Sequence, residues 1–226
     1  MNRIAAAWTR GGVRLAARVI LARIADRIQE RVLRIRSAGL IPIESLVPQW
    51  RDCHDYFPTT IGDFRRVLDD LPIDAEDVFV DYGCGKGRVL ILAAAYRFAG
   101  IIGVEISDGL AAAARVNVDR ALRAQARARI AIVNCNARDF ALPHAASVLY
   151  LYNPFHGDIL RAVFEQVRRS LAANPRRLYV IFNNPRHFET IERDYPWLVR
   201  KRTYRFEHDV VVYEARVDIT RGPSII

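Results

Sequence analysis

Apolar positions along this chain fall into short, nearly continuous runs, and the stretches between them carry helical spacing. Val78-Phe79-Val80, Ile101 to Ile106, Arg129 to Asn134, Ser147 to Tyr152 and Arg177 to Phe182 are the short runs. Strands that are apolar on both faces belong to a parallel sheet covered on both sides by helices. Val89 to Phe98 is a mostly apolar helix, and Ser107-Asp108 can cap the next, Gly109 to Ala126. Asp158 to Ala173 places Leu160, Val163, Phe164, Val167 and Leu171 on one face. Before the first strand, Thr60 with Asp63 reads as an N-cap. Phe64, Val67, Leu68 and Leu71 give that helix its apolar face, and Pro72 ends it. Beyond Asn183-Asn184-Pro185, a short helix, Phe188 to Tyr195, leads into two long strands. These are Leu198 to Phe206 and Val210 to Val217, turning at Glu207-His208-Asp209. Alternating βα units that end in a hairpin predict an α/β domain.

The first forty residues read differently. Arg3, Arg10, Arg14, Arg18, Arg23, Arg27, Arg31, Arg34 and Arg36 recur among Ala, Ile, Leu and Val, with acids only at Asp26 and Glu30. Ile20, Leu21, Ile24, Ile28, Val32 and Ile35 make one helical stripe, with Arg23, Arg27, Arg31 and Arg34 on the other side. Ile4, Trp8, Leu15 and Val19 fall at another angle and Gly11-Gly12 interrupt them. A helix is therefore predicted over Val13 to Ser37, preceded by a looser turn. The expected organisation is a basic helical extension over residues 1–40 and, across Pro42 and Pro48, a domain over residues 41–226. A fragment beginning near Pro42 is expected to fold and bind ligand. No apolar run approaches the roughly 20 residues of a membrane span, and arginines interrupt what would be the core of a secretory signal. A basic amphipathic helix can pack on a domain, self-associate, lie on an anionic membrane or serve as a mitochondrial presequence, and composition does not choose among them.

Composition adds little beyond these bounds. The 226 residues suffice for one domain plus an extension, and 51% of them are hydrophobic. The net charge is +9, but it is almost wholly arginine, with only Lys86 and Lys201 as lysines. Together with the alanine content, this is weak evidence for a nucleic-acid partner. Cys53, Cys84 and Cys135 are scattered, as are the five histidines. That pattern fits reduced cytoplasmic thiols and neither a metal site nor a disulfide framework.

The chemistry concentrates at Asp81-Tyr82-Gly83-Cys84-Gly85-Lys86-Gly87. A strand ending in alternate glycines turns tightly and lets a ligand approach the backbone, while the amides of the next helix point into the same space. Asp81 would push negative charge against a pyrophosphate, whereas an ammonium and a sulfonium gain from it. The G-x-G-x-G spacing is also one residue short of a dinucleotide fingerprint. Glu105 ends the following strand, where a carboxylate can take ribose hydroxyls. These residues resemble motif I and the acidic end of strand two in class I S-adenosylmethionine-dependent methyltransferases. The resemblance covers about Trp50 to Val217. It implies a doubly wound, mostly parallel seven-stranded sheet with helices on both faces and an antiparallel last strand. The implied cofactor is S-adenosyl-L-methionine, held by Asp81, Tyr82, Gly83, Cys84, Gly85, Gly87, Glu105 and Ile106.

The family usually places an acid and a small residue after strand three to serve the adenine. Asn136-Ala137 stand there in this chain, where an amide oxygen can still accept from the adenine amino group; Asp139 can substitute for the acid or equally be a solvated loop acid. Tyr56-Phe57-Pro58-Thr59-Thr60 occupies the segment that in the family folds over the cofactor; equally, Tyr56 and Phe57 can anchor the following helix. Asn153-Pro154-Phe155 resembles motif IV of amine and amide methyltransferases with one proline rather than two. Its place beside the order reversal of a doubly wound sheet would set Asn153 against the cofactor's methyl group. The resemblance implies that Asn153 and a following carbonyl accept from a target nitrogen while an aromatic ring contacts the target group. Catalysis then becomes mostly alignment in a dry site. A nitrogen on a protein side chain is the expected acceptor. The alternatives are a small-molecule O- or N-methyltransferase and a non-catalytic cofactor-binding module that acts through its basic helix.

Overall fold

The computed structural model describes residues 3–46, 51–185 and 188–216. Pro48, Trp50, His187 and Val217 lie outside the described residues. The strands are β1 Val78–Tyr82, β2 Gly100–Glu105, β3 Ile130–Asn134, β4 Ala146–Tyr152, β5 Tyr179–Asn183, β6 Leu198–Arg205 and β7 Asp209–Ala215. They form one seven-stranded sheet in the order β3-β2-β1-β4-β5-β7-β6. β1 to β5 run parallel, and β7 is antiparallel to both β5 and β6. The order reverses between β1 and β4, the place where a doubly wound sheet opens a crevice at the carboxyl ends of its strands.

Period-two alternation sends the β1 side chains into two separate cores. Val80 and Tyr82 join Leu149 and Leu151 of β4 on one face, under Val163, Phe164 and Val167. These last three belong to α6, Gly157–Ala173. Phe79 joins Ile101, Val148 and Tyr150 on the other face, under Phe64 and Leu68 of α2 (Ile61–Asp69) and Leu90 of α3 (Arg88–Ala93). Each fully buried side chain of this size contributes about 1.5–3 kcal/mol. The remaining helices are α1 Arg3–Leu33, α4 Asp108–Ala121, α5 Ala124–Arg127 and α7 Phe188–Asp194.

Several boundaries differ from expectation, with visible causes. α3 stops at Ala93 rather than Phe98, and the guanidinium of Arg129 takes the carbonyls of Ala94 and Phe98 just beyond it. The helix after Ser107 is capped as expected, by Ser107 Oγ accepting from the Leu110 amide. It divides at Leu122, whose backbone is extended. Thr60 makes no side-chain cap bond to α2; instead the Ile61 amide donates to Asp26 Oδ1 at 3.0 Å.

That contact comes from α1. Gly12 is non-helical (φ 64°, ψ −160°), which gives the interruption expected there, but helical residues precede it. The helix ends at Leu33 rather than Ser37, and Arg34 takes a left-handed φ of 58°. α1 lies against the domain through Ala16, Val19, Asp26 and Glu30, while Ile20, Leu21, Ile24, Ile28 and Val32 face outward. No helix among the described residues is long and apolar enough to cross a membrane.

Candidate cofactor and acceptor site

The loop after β1 is shaped by backbone conformations that side chains rarely adopt. Gly83 and Gly85 have φ of 78° and 55°, in the left-handed region that only glycine enters freely. A Cβ on Gly83 would lie 2.6 Å from Pro154 Cβ, and one on Gly85 would lie 2.2 Å from the Tyr56 ring. The loop is tied to β2, since the amides of Gly83 and Cys84 both donate to the Val104 carbonyl, at 2.8 and 3.0 Å.

Glu105 ends β2 as a buried carboxylate. Its Oε2 accepts from the Gly85 amide at 2.8 Å and its Oε1 from the Ser107 amide at 2.9 Å. Burial pushes its carboxyl above the usual range, and these backbone donors pull it partly back. Each oxygen keeps a lone pair for another donor. Asp81 is 2% exposed, and burial first, then the Glu105 charge, push its carboxyl well above the usual range. A cation beside it would reverse that shift.

A cleft, open to solvent at its mouth, runs over these strand ends. Gly83, Glu105, Ile106, Asn136, Ala137, Pro154 and Phe155 line it, together with Tyr56, Phe57 and Tyr152. Asp81 and Cys84 line a smaller adjoining space that shares Tyr56, Phe57, Gly83 and Tyr152 with the cleft. Four expected residues line neither. Tyr82 is in the core, its ring 5.9 Å from Phe140 and 6.3 Å from Phe155. Gly85 lies under the Tyr56 ring, Gly87 lies against Ala114, and Asn153 is 9% exposed at the end of β4.

At the end of β3, Asn136 Oδ1 accepts from the Arg138 amide at 3.1 Å and so caps the turn Ala137–Asp139. Asn136 lines the cleft, whereas Asp139 is exposed and does not. At the end of β4, Asn153 takes a φ of 40°, uncommon outside glycine and kept mainly where the surroundings over-determine it. The Pro154 carbonyl accepts from the His54 amide at 3.0 Å. One of its lone pairs is thus committed within the chain. Phe155 is 5% exposed and belongs largely to the core. It still lines the cleft, as do Tyr152 and Phe57, whose ring centres are 6.5 Å apart.

Tyr56, in the segment expected either to fold over the cofactor or to anchor the following helix, covers the loop and donates its hydroxyl to the Ser37 carbonyl at 2.6 Å. Sequence reasoning did not reach two further features. Tyr150, behind Asp81, shares its hydroxyl with Thr59 and Asn183 at 2.9 Å each. Arg88, 4% exposed, bonds Asp26, Glu30, Ser37 and Thr59. Only the last had a signal in the chain: the two acids of the first forty residues stand one helical turn apart.

The donor set suits S-adenosyl-L-methionine. Glu105 can accept from vicinal hydroxyls, and Asp81 offers a buried carboxylate to a ligand cation from the space adjoining the cleft. A pyrophosphate would meet two buried carboxylates instead.

Comparison with known proteins agrees. Residues 79–174 match the family model described as a methyltransferase domain. A protein-lysine N-methyltransferase of Saccharolobus islandicus is 35% identical over 66 residues, which is 29% of this chain and 41% of that protein. The matched stretch therefore spans well under two thirds of that relative. Among solved structures, the RNA methyltransferase from Salinibacter ruber in complex with S-adenosyl-L-homocysteine superposes with a TM-score of 0.52 at 22% identity, covering 74% of this chain and 97% of that one. A SAM-dependent methyltransferase from Aquifex aeolicus gives 0.52 at 13% identity, covering 68% and 88%. Such identities bear on the fold alone, and the family match and the glycine loop bear on the ligand. Residues 79–174 thus match a methyltransferase domain, and the seven-stranded sheet that contains them has the fold of class I S-adenosylmethionine-dependent methyltransferases.

Proposed function

We propose that the protein methylates a nitrogen of a protein side chain, with lysine as the favoured acceptor. The observation that carries this is the contact between the two halves of the site. Pro154 lies so close to Gly83 that a Cβ there would come within 2.6 Å of it, so Asn153-Pro154-Phe155 sits at the cofactor loop itself. The protein-lysine N-methyltransferase relative supports the choice of acceptor.

When bound, S-adenosyl-L-methionine supplies a methyl group on a sulfonium, already a good leaving group. The chain's own work is holding and aligning. Asp81 and Glu105 hold the cationic and hydroxyl-bearing parts of the ligand. Tyr56 packs over the loop, and Phe57 and Tyr152 wall the cleft against water, which favours a neutral amine over its ammonium. Asn153 accepts from the acceptor N–H and aims its lone pair, an orienting role that does not ask for a strong base.

Incubation of the protein with cell extract and methyl-labelled cofactor, followed by separation into protein, nucleic acid and small molecules, tests this. Label in the protein fraction, recovered as methylated lysine after hydrolysis, is the expected result. Label confined to small molecules or nucleic acid would overturn the proposed acceptor.

A further inference from the structure

α1 carries an apolar stripe that the domain does not cover. Val13, Ile20, Leu21, Ile24, Ile28 and Val32 are 63%, 40%, 65%, 53%, 57% and 76% exposed. Isolated exposed apolar residues are ordinary, but a contiguous run along one helix face marks an interaction site. The helix cannot simply roll to bury them. Its opposite face is fastened by Asp26 and Glu30, whose carboxylates each lie 2.8 Å from Arg88.

Charge then discriminates among occupants. At 100° per residue, Arg27 borders the stripe on one side, Arg14 and Arg18 border it on the other, and Arg31 lies within it. All four are exposed, as are Arg34 and Arg36 further on. The only acids of the first forty residues are the two turned inward to Arg88. A second copy docked on this stripe would set arginines against arginines with no carboxylate between them. A zwitterionic or neutral apolar surface would leave the same charges unused.

We propose that this face of α1 docks in the plane of an anionic lipid bilayer, with the stripe in the acyl boundary and the arginines at the headgroup phosphates. The helical stretch after Gly12 is about 30 Å long, a usual length for an interfacial helix. Arginine stems can lie along apolar surface while their guanidinium groups reach outward, which accommodates Arg31 inside the stripe. Basic residues at an anionic surface add attraction that falls off within a Debye length, about 8 Å at physiological salt. The inference does not depend on which acceptor the enzyme uses.

Co-sedimentation of the full chain with phosphatidylcholine vesicles, with and without phosphatidylserine, tests the proposal. Two variants accompany it, Ile24→Gln/Ile28→Gln and Arg27→Gln/Arg31→Gln. All four positions are exposed, so both variants should keep the thermal midpoint and S-adenosylhomocysteine affinity of the parent. The wild type should pellet with phosphatidylserine-containing vesicles and stay in solution with phosphatidylcholine alone. Each variant, and high salt for the wild type, should weaken that binding at least about tenfold. Equal binding to both vesicles, or none to either, overturns the proposal. So does a wild type that sediments as a dimer without lipid and becomes a monomer in the Ile24→Gln/Ile28→Gln variant.

Discussion

The guanidinium of Arg88 lies 2.8 Å from the carboxylate of Glu30, joining the first helix of the chain to the residue that follows the cofactor loop. Asp26 takes another arm of the same guanidinium at 2.8 Å, and Ser37 and Thr59 take the rest. The two acids respond differently. Burial pushes Asp26 up by more than Arg88 pulls it down. For Glu30 the burial effect is outweighed by hydrogen bonds from Ser37 and by Arg88. The acids thus sit in one network without sharing one protonation behaviour.

Removing Arg88 leaves the buried Glu30 and the partly buried Asp26 uncompensated. Arg88→Ala should therefore destabilise the protein by about 3–5 kcal/mol, read as a lower denaturant midpoint at unchanged slope. A fragment starting near Pro42 removes the other half of the network and should lose stability as well, with Arg88 left as the unpaired charge. A midpoint unchanged in both would mean that α1 is not energetically part of the domain.

The cofactor loop predicts a backbone effect. Gly85→Val forces a β-branched residue to a φ of 55°, beneath the Tyr56 ring. The conformation alone costs about 1–2 kcal/mol. The displaced loop should reduce S-adenosylhomocysteine affinity at least about tenfold. Calorimetric affinity equal to wild type would place the ligand elsewhere.

Asp81 predicts a pH dependence. Its carboxyl is raised in the free protein, so it favours the folded state at low pH, and that contribution is lost as pH rises through its folded pKa. A ligand ammonium beside it lowers that pKa again. S-adenosylhomocysteine should therefore bind more tightly as pH rises above the ordinary carboxylate range, releasing protons on binding. Glu105 and Asp63 are shifted in the same direction, Asp63 to about 6. The Asp81 contribution is thus the difference between wild type and Asp81→Asn, measured by calorimetry in buffers of different ionisation enthalpy. Identical proton release in the two would show that Asp81 does not meet the ligand's charge.

Much of this architecture was legible in the chain, for reasons that differ between elements. β1, its glycine loop and Glu105 were readable because continuous apolar strands and alternate glycines are local signals. The hairpin of β6 and β7 followed from two long strands around Glu207-His208-Asp209. What could not be read were contacts across long separations. Periodicity finds the apolar stripe of α1, but docking uses Ala16, Val19 and two acids on the opposite side, and the partner of those acids is dozens of residues away. The cap of α2 comes from Asp26 rather than the adjacent Thr60 for the same reason. At the acceptor end, the His54 amide on the Pro154 carbonyl and the Phe57 ring beside Tyr152 bring together segments far apart in the chain.

Asn153 predicts a separation of chemistry from binding. Asn153→Ala should lower turnover on the order of a hundredfold while leaving cofactor affinity nearly unchanged. Because its φ of 40° suits glycine better than alanine, Asn153→Gly controls for backbone strain. Equal losses in both variants assign the effect to the side chain. Recovery in the glycine variant would assign it to the backbone.

The most direct measurement is calorimetric binding of S-adenosylhomocysteine to the full chain, set beside NAD and repeated with Asp81→Ala and Glu105→Ala. The account predicts one site per chain for S-adenosylhomocysteine, no detectable NAD binding, and loss of the site in both variants with the thermal transition still cooperative. Binding of NAD in place of S-adenosylhomocysteine, or unaltered affinity in both variants, would contradict it.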